Sequence, residues 1–294
     1  MRVMIGITGA SGPLGRATAE AVLRTVDPRE VVLTTRSPDT LADLAARGVQ
    51  VRRADFDRYR GLVDAFAGVE RLLLVSTDHV GGRLAQHRAA VTAAARAGVA
   101  HLVYTSVPDP VPANPAVVVA DHAGTERALR ESGLRWTVLR NHLYAHLQVP
   151  VIQRAAADGR LVTNAGDGRS AHVWREDCAE AAAAVLTQDG HEDRAFDISG
   201  PRALDADDLA ALAGEVAGRD VEVVHVGDDE FAAGLRAFGL PEPAVALITS
   251  FGAATRAGHL ARPTDAVADL TGRAPRPLED AVRAALGIRP ARRP

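Results

Sequence analysis

The sequence contains no lysine, and all 34 basic residues of its 294 are arginine. No side chain can therefore supply an ammonium group, and any proton-transfer pair that depends on a lysine is excluded. Arginine, alanine, glycine and proline are all abundant, a bias typical of a GC-rich genome. We therefore attribute the arginine excess to codon usage and not to a function of the protein.

Other absences narrow the class of protein further. Cys178 is the only cysteine, which excludes an internal disulfide and a cysteine metal cluster, and its alanine-rich surroundings suggest a packing residue. No apolar run reaches about 18 residues, and no basic segment precedes an apolar run at the N-terminus. The net charge of −3 gives no field that would attract nucleic acid or an anionic membrane. We expect a cytoplasmic protein that binds neither.

Strands and helices alternate through the first half of the chain, which predicts an α/β fold with a doubly wound parallel sheet of the Rossmann type. The predicted strands are residues 4–7, 31–35, 49–55, 71–76, 101–106 and 136–140, and the helices between them are 16–23, 41–47, 59–66, 83–97 and 120–132. A hydrophobic content of 47% is enough for one large core or for two lobes that share a cleft.

The pattern becomes more mixed after Tyr144, although a helix at 177–186, a strand at 195–198 and a helix at 204–216 are still predicted. We therefore assign residues 1–144 to a nucleotide-binding core, with a returning segment near 176–199. Residues 145–175 and 200–288 are assigned to a smaller C-terminal substrate lobe. Residues 289–294 are expected to be a solvated tail.

The first predicted strand enters a turn with glycine at positions 9, 12 and 15, and a helix follows. Such a turn lets the backbone approach a pyrophosphate, and the helix N-terminus directs free N–H groups towards it. Pro13 suits the first turn of that helix, where its missing N–H costs nothing. The residues predicted to contact a dinucleotide here are Gly9, Ser11, Gly12, Pro13, Leu14 and Gly15.

The end of the second strand predicts the choice of dinucleotide. NAD-selective sites place an acidic residue there, whereas this chain has Thr34, Thr35 and Arg36. Arg36 can form a bidentate contact with a 2′-phosphate, which favours NADPH as the cofactor. The ends of the following strands add Asp55 and Phe56 for the adenine, and then Ser76, Thr77, Ser106 and Asn141 along the cofactor.

Together these stretches resemble the NmrA-like branch of the atypical short-chain dehydrogenase/reductases, in particular the type 2 NAD(P)H:quinone oxidoreductases and the triphenylmethane dye reductases. The resemblance covers nearly the whole chain. It rests on residues 7–15, 36–38, 54–56, 72–77, 86–88, 103–106, 122–126, 139–141, 165–168 and 175–179.

The resemblance implies an NADPH-binding fold with the nicotinamide near Ser106 and residues 141–144. The branch includes reductases and also redox-sensing regulators that bind the dinucleotide without turnover. Among reductases it suggests a quinone, or a ketone on a polycyclic aromatic scaffold, as the hydride acceptor. A polyketide ketoreductase of antibiotic biosynthesis is a specific option.

The usual Tyr-x-x-x-Lys pair of this superfamily is absent. The family match places His122 at the lysine position and Val118 at the tyrosine position. The remaining candidates for catalysis are Ser106, His122, Asn141 and Tyr144. His122 could act as an acid near neutral pH or could only hold a helix in place, and Tyr144 could only form a wall of the cleft.

We therefore expect direct hydride transfer to an aromatic ketone or quinone, driven by proximity to the nicotinamide. The alternative is an NADP(H)-sensing regulator, which a filled substrate cleft would favour and an open apolar one would oppose. His142 and His146 could share one helix face, but without a third ligand we predict no metal site.

Overall fold

The computed structural model describes residues 3–79 and 81–286, so the predicted tail at 289–294 lies outside the described residues. Seven strands form one parallel sheet: β1 (Ile5–Ile7), β2 (Val31–Thr35), β3 (Gln50–Arg53), β4 (Arg71–Leu74), β5 (His101–Ser106), β6 (Arg135–Asn141) and β8 (Arg194–Ile198). Their order across the sheet is β3-β2-β1-β4-β5-β6-β8. The predicted doubly wound sheet is confirmed.

Helices cover both faces of this sheet. One face packs against α1 (Pro13–Val22), α2 (Ala42–Ala46) and α7 (Arg175–Thr187), and the other against α3 (Tyr59–Phe66), α4 (Arg83–Ala97) and α5 (Val119–Arg130). Because all strands are parallel, their carboxyl ends lie at one edge. The strand order reverses there between β1 and β4, where ligands bind in open α/β sheets.

Strand β4 is shorter than the sequence predicts, since it ends at Leu74 and not at Ser76. The Val75 N–H donates to Thr8 Oγ1 (2.9 Å), and the Ser76 N–H donates to Thr105 Oγ1 (2.9 Å). Side-chain hydroxyls thus replace the ladder hydrogen bonds, and the chain leaves the sheet where a ligand would approach.

The remaining elements form a smaller lobe at the same edge. They are α6 (Gln148–Asp158), β7 (Arg160–Thr163), α8 (Ala206–Ala217), β9 (Glu222–His225), α9 (Asp228–Ala237), α10 (Glu242–Arg256) and α12 (Leu278–Ala285). Strands β7 and β9 pair in parallel, and α6, α8 and α12 bury a separate apolar cluster. Within the described residues no helix is long and apolar enough to span a membrane.

Helix α11 (Ala266–Thr271) departs from the proposed division of the chain. Its residues Ala266, Val267 and Leu270 pack into the core beneath α1 and α7, although they fall in the segment assigned to the substrate lobe. Just beyond it, Arg273 donates to both Asp177 and Glu180 on α7. The chain therefore returns to the core before it forms α12.

Candidate active site

The glycine turn connects β1 to α1 at the edge where the strand order reverses. Gly9 has φ +59°, and Gly12 caps the helix in an extended conformation with its N–H donating to Gly9 O (2.9 Å). A Cβ on Gly15 would collide with the carbonyl oxygen of Gly9, so only glycine allows the helix this close to the turn. No acidic residue lies in the first turn of α1, which leaves its N-terminus suited to an anion.

The end of β2 presents hydroxyl groups and a cation where NAD-selective sites have an acid. Ser11 Oγ lies 2.7 Å from Thr35 Oγ1, which also accepts the Ser37 N–H (3.2 Å). Arg36 is exposed and makes no ion pair or hydrogen bond within the described residues. A phosphate bound here would therefore meet an unengaged guanidinium.

The segments after β3 and β4 are held by local hydrogen bonds. Asp55 Oδ1 accepts the Asp57 N–H (3.1 Å), and Phe56 is half-buried against the α3–α4 core. The Thr77 N–H donates to His87 Nε2 (3.0 Å), and its hydroxyl donates to Gln86 (2.8 Å). Thr77 is thus an anchor for its loop, and its predicted contact with cofactor stays a prediction.

The four residues predicted for catalysis fall into two groups on opposite faces of the sheet. On the face covered by α4 and α5, Ser106 of β5 donates to Glu126 of α5, and His122 of α5 lies 2.7 Å from Tyr104 Oη of β5. Asn141 lies within 3.4 Å of Tyr144, whose ring packs against the α1–α7 core. The structure therefore does not bring the four side chains together into one cluster.

His122 is only 3% exposed, and both of its ring nitrogens have partners. Arg83 Nη1 donates to Nε2 (3.1 Å), which assigns the ring proton to Nδ1, 2.7 Å from Tyr104 Oη. Burial, and then the positive charge of Arg83, lower the pKa of His122 well below its ordinary value. A neutral, fully engaged imidazole supports the second role considered for it, a partner that holds α5 in place.

Ser106 donates its hydroxyl proton to Glu126 Oε1 (2.8 Å), and both residues are buried. Glu126 also accepts from Arg140 Nε (3.0 Å) and Nη2 (2.9 Å), and from Arg130 Nη2 (2.9 Å). Sequence reasoning gave Glu126 no role. The available signal was an acidic residue on the inward face of α5, within the stretch 122–126 that carries the family resemblance.

Asn141 ends β6 and is 7% exposed. Its Nδ2 donates to Tyr144 Oη (3.4 Å), while its Oδ1 is buried and has no partner within the described residues. A buried acceptor without a donor is costly in a folded protein, and a bound ligand is one explanation for it. The half-buried Tyr144 ring stacks on His146 at 5.5 Å, and burial raises the pKa of its hydroxyl.

An apolar wall lies beyond β5 and β6, formed by the partly buried side chains of Val107, Leu143, Leu247 and Phe251. The last two residues belong to α10, so the smaller lobe supplies one side of this wall. A separate cavity of about 330 Å³ between α9 and α10 contains none of the predicted site residues.

The two histidines considered as a metal pair do not share a helix. His142 follows β6 in an extended segment, and His146 lies in a single helical turn at Ala145–Leu147. Burial, with a smaller effect of His172, lowers the pKa of His142 to about 4. Within the described ranges, no three His, Cys, Asp or Glu side chains are placed to hold a metal ion.

Three features of this edge fit a phosphorylated dinucleotide. The glycine turn suits a pyrophosphate, Arg36 suits an additional phosphate, and the buried Asn141 Oδ1 suits an amide N–H. They lie at the ends of β1, β2 and β6, along the carboxyl edge of one sheet.

Residues 9–189 match a family model described as NAD(P)H-binding. The chain is 37% identical over 239 residues to quinone oxidoreductase 2 of Escherichia coli, covering 81% of this chain and 83% of that protein. It is 32% identical over 286 residues to an NmrA-like family domain-containing oxidoreductase of Aspergillus flavus, covering 94% and 93%. The chain is an NmrA-like NAD(P)H-dependent oxidoreductase.

Solved structures of such oxidoreductases have the same fold over nearly the full chain. NADPH-dependent quinone oxidoreductase from Escherichia coli, complexed with NADPH, superposes with a TM-score of 0.92 at 34% identity, covering 96% of this chain and all of that one. Triphenylmethane reductase from Citrobacter sp., complexed with NADP(H), gives 0.89 at 32% identity, covering 96% and 99%. The predicted family and enzymatic class are confirmed.

Proposed function

We propose that this NmrA-like oxidoreductase uses NADPH to transfer hydride directly to a ketone or quinone carbonyl of an aromatic, polycyclic substrate. The observation that carries the proposal is the lack of a ready proton donor among the described candidates. His122 is buried and neutral, burial raises the pKa of Tyr144, and the Ser106 hydroxyl donates its hydrogen bond to Glu126. An acceptor that needs no strong acid fits such a site.

In this proposal, each part of NADPH has binding residues at the carboxyl edge of the sheet. The turn at Gly9–Gly15 would hold the pyrophosphate, and Arg36 with Ser11 would hold the 2′-phosphate. Asp55 and Phe56 would border the adenine, and Asn141 Oδ1 would accept an N–H of the nicotinamide carboxamide. When bound, NADPH supplies the hydride, and the chain supplies orientation and exclusion of water.

The substrate would lie against the apolar wall of Val107, Leu143, Leu247 and Phe251. Flat aromatic rings bury well on such a surface, and the names of the relatives indicate quinone and dye substrates for those proteins. A quinone accepts hydride to give a stabilised phenolate, so catalysis would depend mainly on placing the carbonyl beside the nicotinamide. Polyketide ketones remain a specific option within this class.

The proposal is tested by mixing the purified protein with NADPH and a panel of quinones and polycyclic aromatic ketones. Nicotinamide absorbance should fall with at least one of them, and deuterium from the transferable position of NADPH should appear on the carbinol carbon of a ketone product. Bound NADPH without turnover across the panel would instead favour the regulatory alternative.

The acid-free mechanism is tested by single replacements. His122→Asn and Tyr144→Phe should each reduce turnover by about 10²-fold or less, the lower end of general acid–base effects. A loss of several further orders of magnitude in either variant, with NADPH still bound, would identify a dedicated proton donor and contradict this mechanism.

A further inference from the structure

We propose that Glu126 fixes Ser106 Oγ as a hydrogen-bond acceptor, so that Ser106 binds a hydroxyl or amide donor and does not donate to the carbonyl being reduced. Glu126 is thus a positioning residue. The inference rests on the proposed function for the location of the site at the end of β5. It adds a recognition rule, in which the bound partner must present a proton to Ser106.

The first step is the protonation state of Glu126. Burial disfavours its charge, but hydrogen bonds and charge from Arg140, with further hydrogen bonds from Ser106 and Arg130, outweigh burial and lower its pKa. The side chain is therefore a carboxylate at neutral pH. A carboxylate has no proton to give, so every partner of Glu126 must act as a donor.

The second step is the proton of Ser106. A serine hydroxyl carries one proton, and here it points to Glu126 Oε1 at 2.8 Å. Within the described residues no group donates to Ser106 Oγ, so its lone pairs remain available. Rotating the proton towards the neutral carbonyl of a bound substrate would replace a charge-assisted hydrogen bond with a neutral one.

The third step is the rigidity of the carboxylate. Arg140 on β6 lies directly in register with Ser106 on β5, and its guanidinium binds both oxygens of Glu126. Arg130, one turn along α5, binds Oε2 as well. Four hydrogen bonds, from β5, β6 and α5, thus hold the Glu126 carboxylate where it accepts from Ser106.

The group that donates a hydrogen bond to Ser106 Oγ could belong to either of two molecules. One is the cofactor, through a hydroxyl of the nicotinamide ribose or an N–H of the carboxamide. The other is the substrate, through a hydroxyl on the ring that carries the carbonyl. Both sources present the same chemistry to Ser106 Oγ, so the experiment has to separate them.

The test compares Ser106→Ala with the unmodified protein in two measurements. One is the Kd for NADPH. The other is the ratio of kcat/KM for a pair of 1,4-naphthoquinones with and without a ring hydroxyl, because intrinsic reactivity cancels when this ratio is compared between variants. Thr137→Val, which removes a buried hydroxyl elsewhere on β6, is the matched control.

Loss of a neutral hydrogen bond should change one of these quantities by about three- to tenfold. A higher Kd for NADPH assigns the donor to the cofactor, and a reduced preference for the hydroxylated quinone assigns it to the substrate.

An equal fall in kcat for both quinones, with the Kd unchanged, would mean that Ser106 donates to the oxyanion and would overturn the inference. So would no change in either quantity. Failure of the unmodified protein to reduce any quinone or ketone would instead count against the proposed function.

The role of Glu126 has its own readout. Glu126→Leu keeps the serine, but it should change the same measurement, Kd or kcat/KM ratio, as Ser106→Ala does. Glu126→Gln should leave that measurement close to its value in the unmodified protein, because an amide oxygen still accepts from Ser106. Arg127→Gln, at an exposed position on the same helix that makes none of these bonds to Glu126, is the control. If Glu126→Leu does not fold, the Ser106→Ala measurements still decide the inference.

Discussion

Arg36 and Asn141 are among the side chains at the carboxyl edge of the sheet whose polar groups have no partner in the part of the chain that the structure describes. The guanidinium of Arg36 is exposed and unpaired within the described residues, and Asn141 Oδ1 is buried without a donor. Many other arginines among the described residues lie within reach of a carboxylate, as Arg16 does with Asp43. Groups left without partners in this way are candidates for ligand binding.

Arg36→Ala tests the choice of cofactor. The unmodified protein should bind NADPH more tightly than NADH by about tenfold to a hundredfold, because a charged hydrogen bond to phosphate is worth roughly 1.5–3 kcal/mol. The variant should lose most of this preference by weakening NADPH binding alone. Titration of both cofactors gives the two dissociation constants.

The control is Arg127→Ala, an exposed arginine in the second half of α5, away from the carboxyl edge of the sheet. It should leave both dissociation constants unchanged. Equal affinities for NADPH and NADH in the unmodified protein would contradict the assignment of Arg36.

At the scale of elements, the turn between β1 and α1 uses its glycines for different purposes. A Cβ on Gly12 would lie 3.2 Å from Gly9 O, which is tight but can be accommodated, and its extended backbone suits other residues. A Cβ on Gly15 would strike the backbone of Gly9 and Ala10. We therefore propose that Gly12 leaves space for the cofactor, whereas Gly15 allows the helix to pack on the strand.

Replacements at the two positions should separate binding from stability. Gly12→Val should weaken NADPH binding by roughly tenfold or more while thermal unfolding changes little. Gly15→Ala should lower the free energy of unfolding by about 1–3 kcal/mol, the usual cost of overpacking. Calorimetry and cofactor titration give both values, and normal NADPH binding by folded Gly12→Val would show that its glycine serves only the turn.

At the scale of the whole molecule, several histidines are buried in neutral form. Burial is the largest cause of a lowered pKa in four of them. The pKa is about 3 for His87 and about 4 for His101, His142 and His172. In the unfolded chain each titrates near 6.5. Below that pH the unfolded state binds more protons than the folded state, so stability falls as pH falls.

We expect acid unfolding between pH ~6 and ~4, because each of these shifts is worth about 3 kcal/mol and total stability is typically 5–15 kcal/mol. Denaturant titrations at several pH values should show a free energy of unfolding that is highest above pH 6.5. Between pH ~6 and ~4, His101→Asn should make the free energy of unfolding less steeply dependent on pH, by up to about 1.4 kcal/mol per pH unit.

The matched control is His225→Asn, at an exposed position on β9. It should leave the slope unchanged. A free energy of unfolding that stays constant from pH 7 to pH 4 would contradict the buried neutral state of these histidines.

The sequence by itself determined the parts of this protein that depend on neighbours in the chain. Alternating apolar strands and amphipathic helices predicted the parallel sheet, and the glycine spacing predicted the turn at its edge. Arg36 directly follows β2 in the chain, so its position at the strand end, and the phosphate contact proposed for it, could be inferred without a structure. The proline at position 243 is also a local signal, because it lies in the first turn of α10, where proline is tolerated.

Only the tertiary structure decided which groups remain available for chemistry. Ser106 and Glu126 are 20 residues apart, and the strand that brings Arg140 to them is set by long-range pairing. The sequence left two alternative roles open for His122, and its burial beside Arg83 and Tyr104 favours the structural one. Hydrogen-bond partners and desolvation are properties of packing between elements, so a one-dimensional pattern cannot specify the protonation of a side chain.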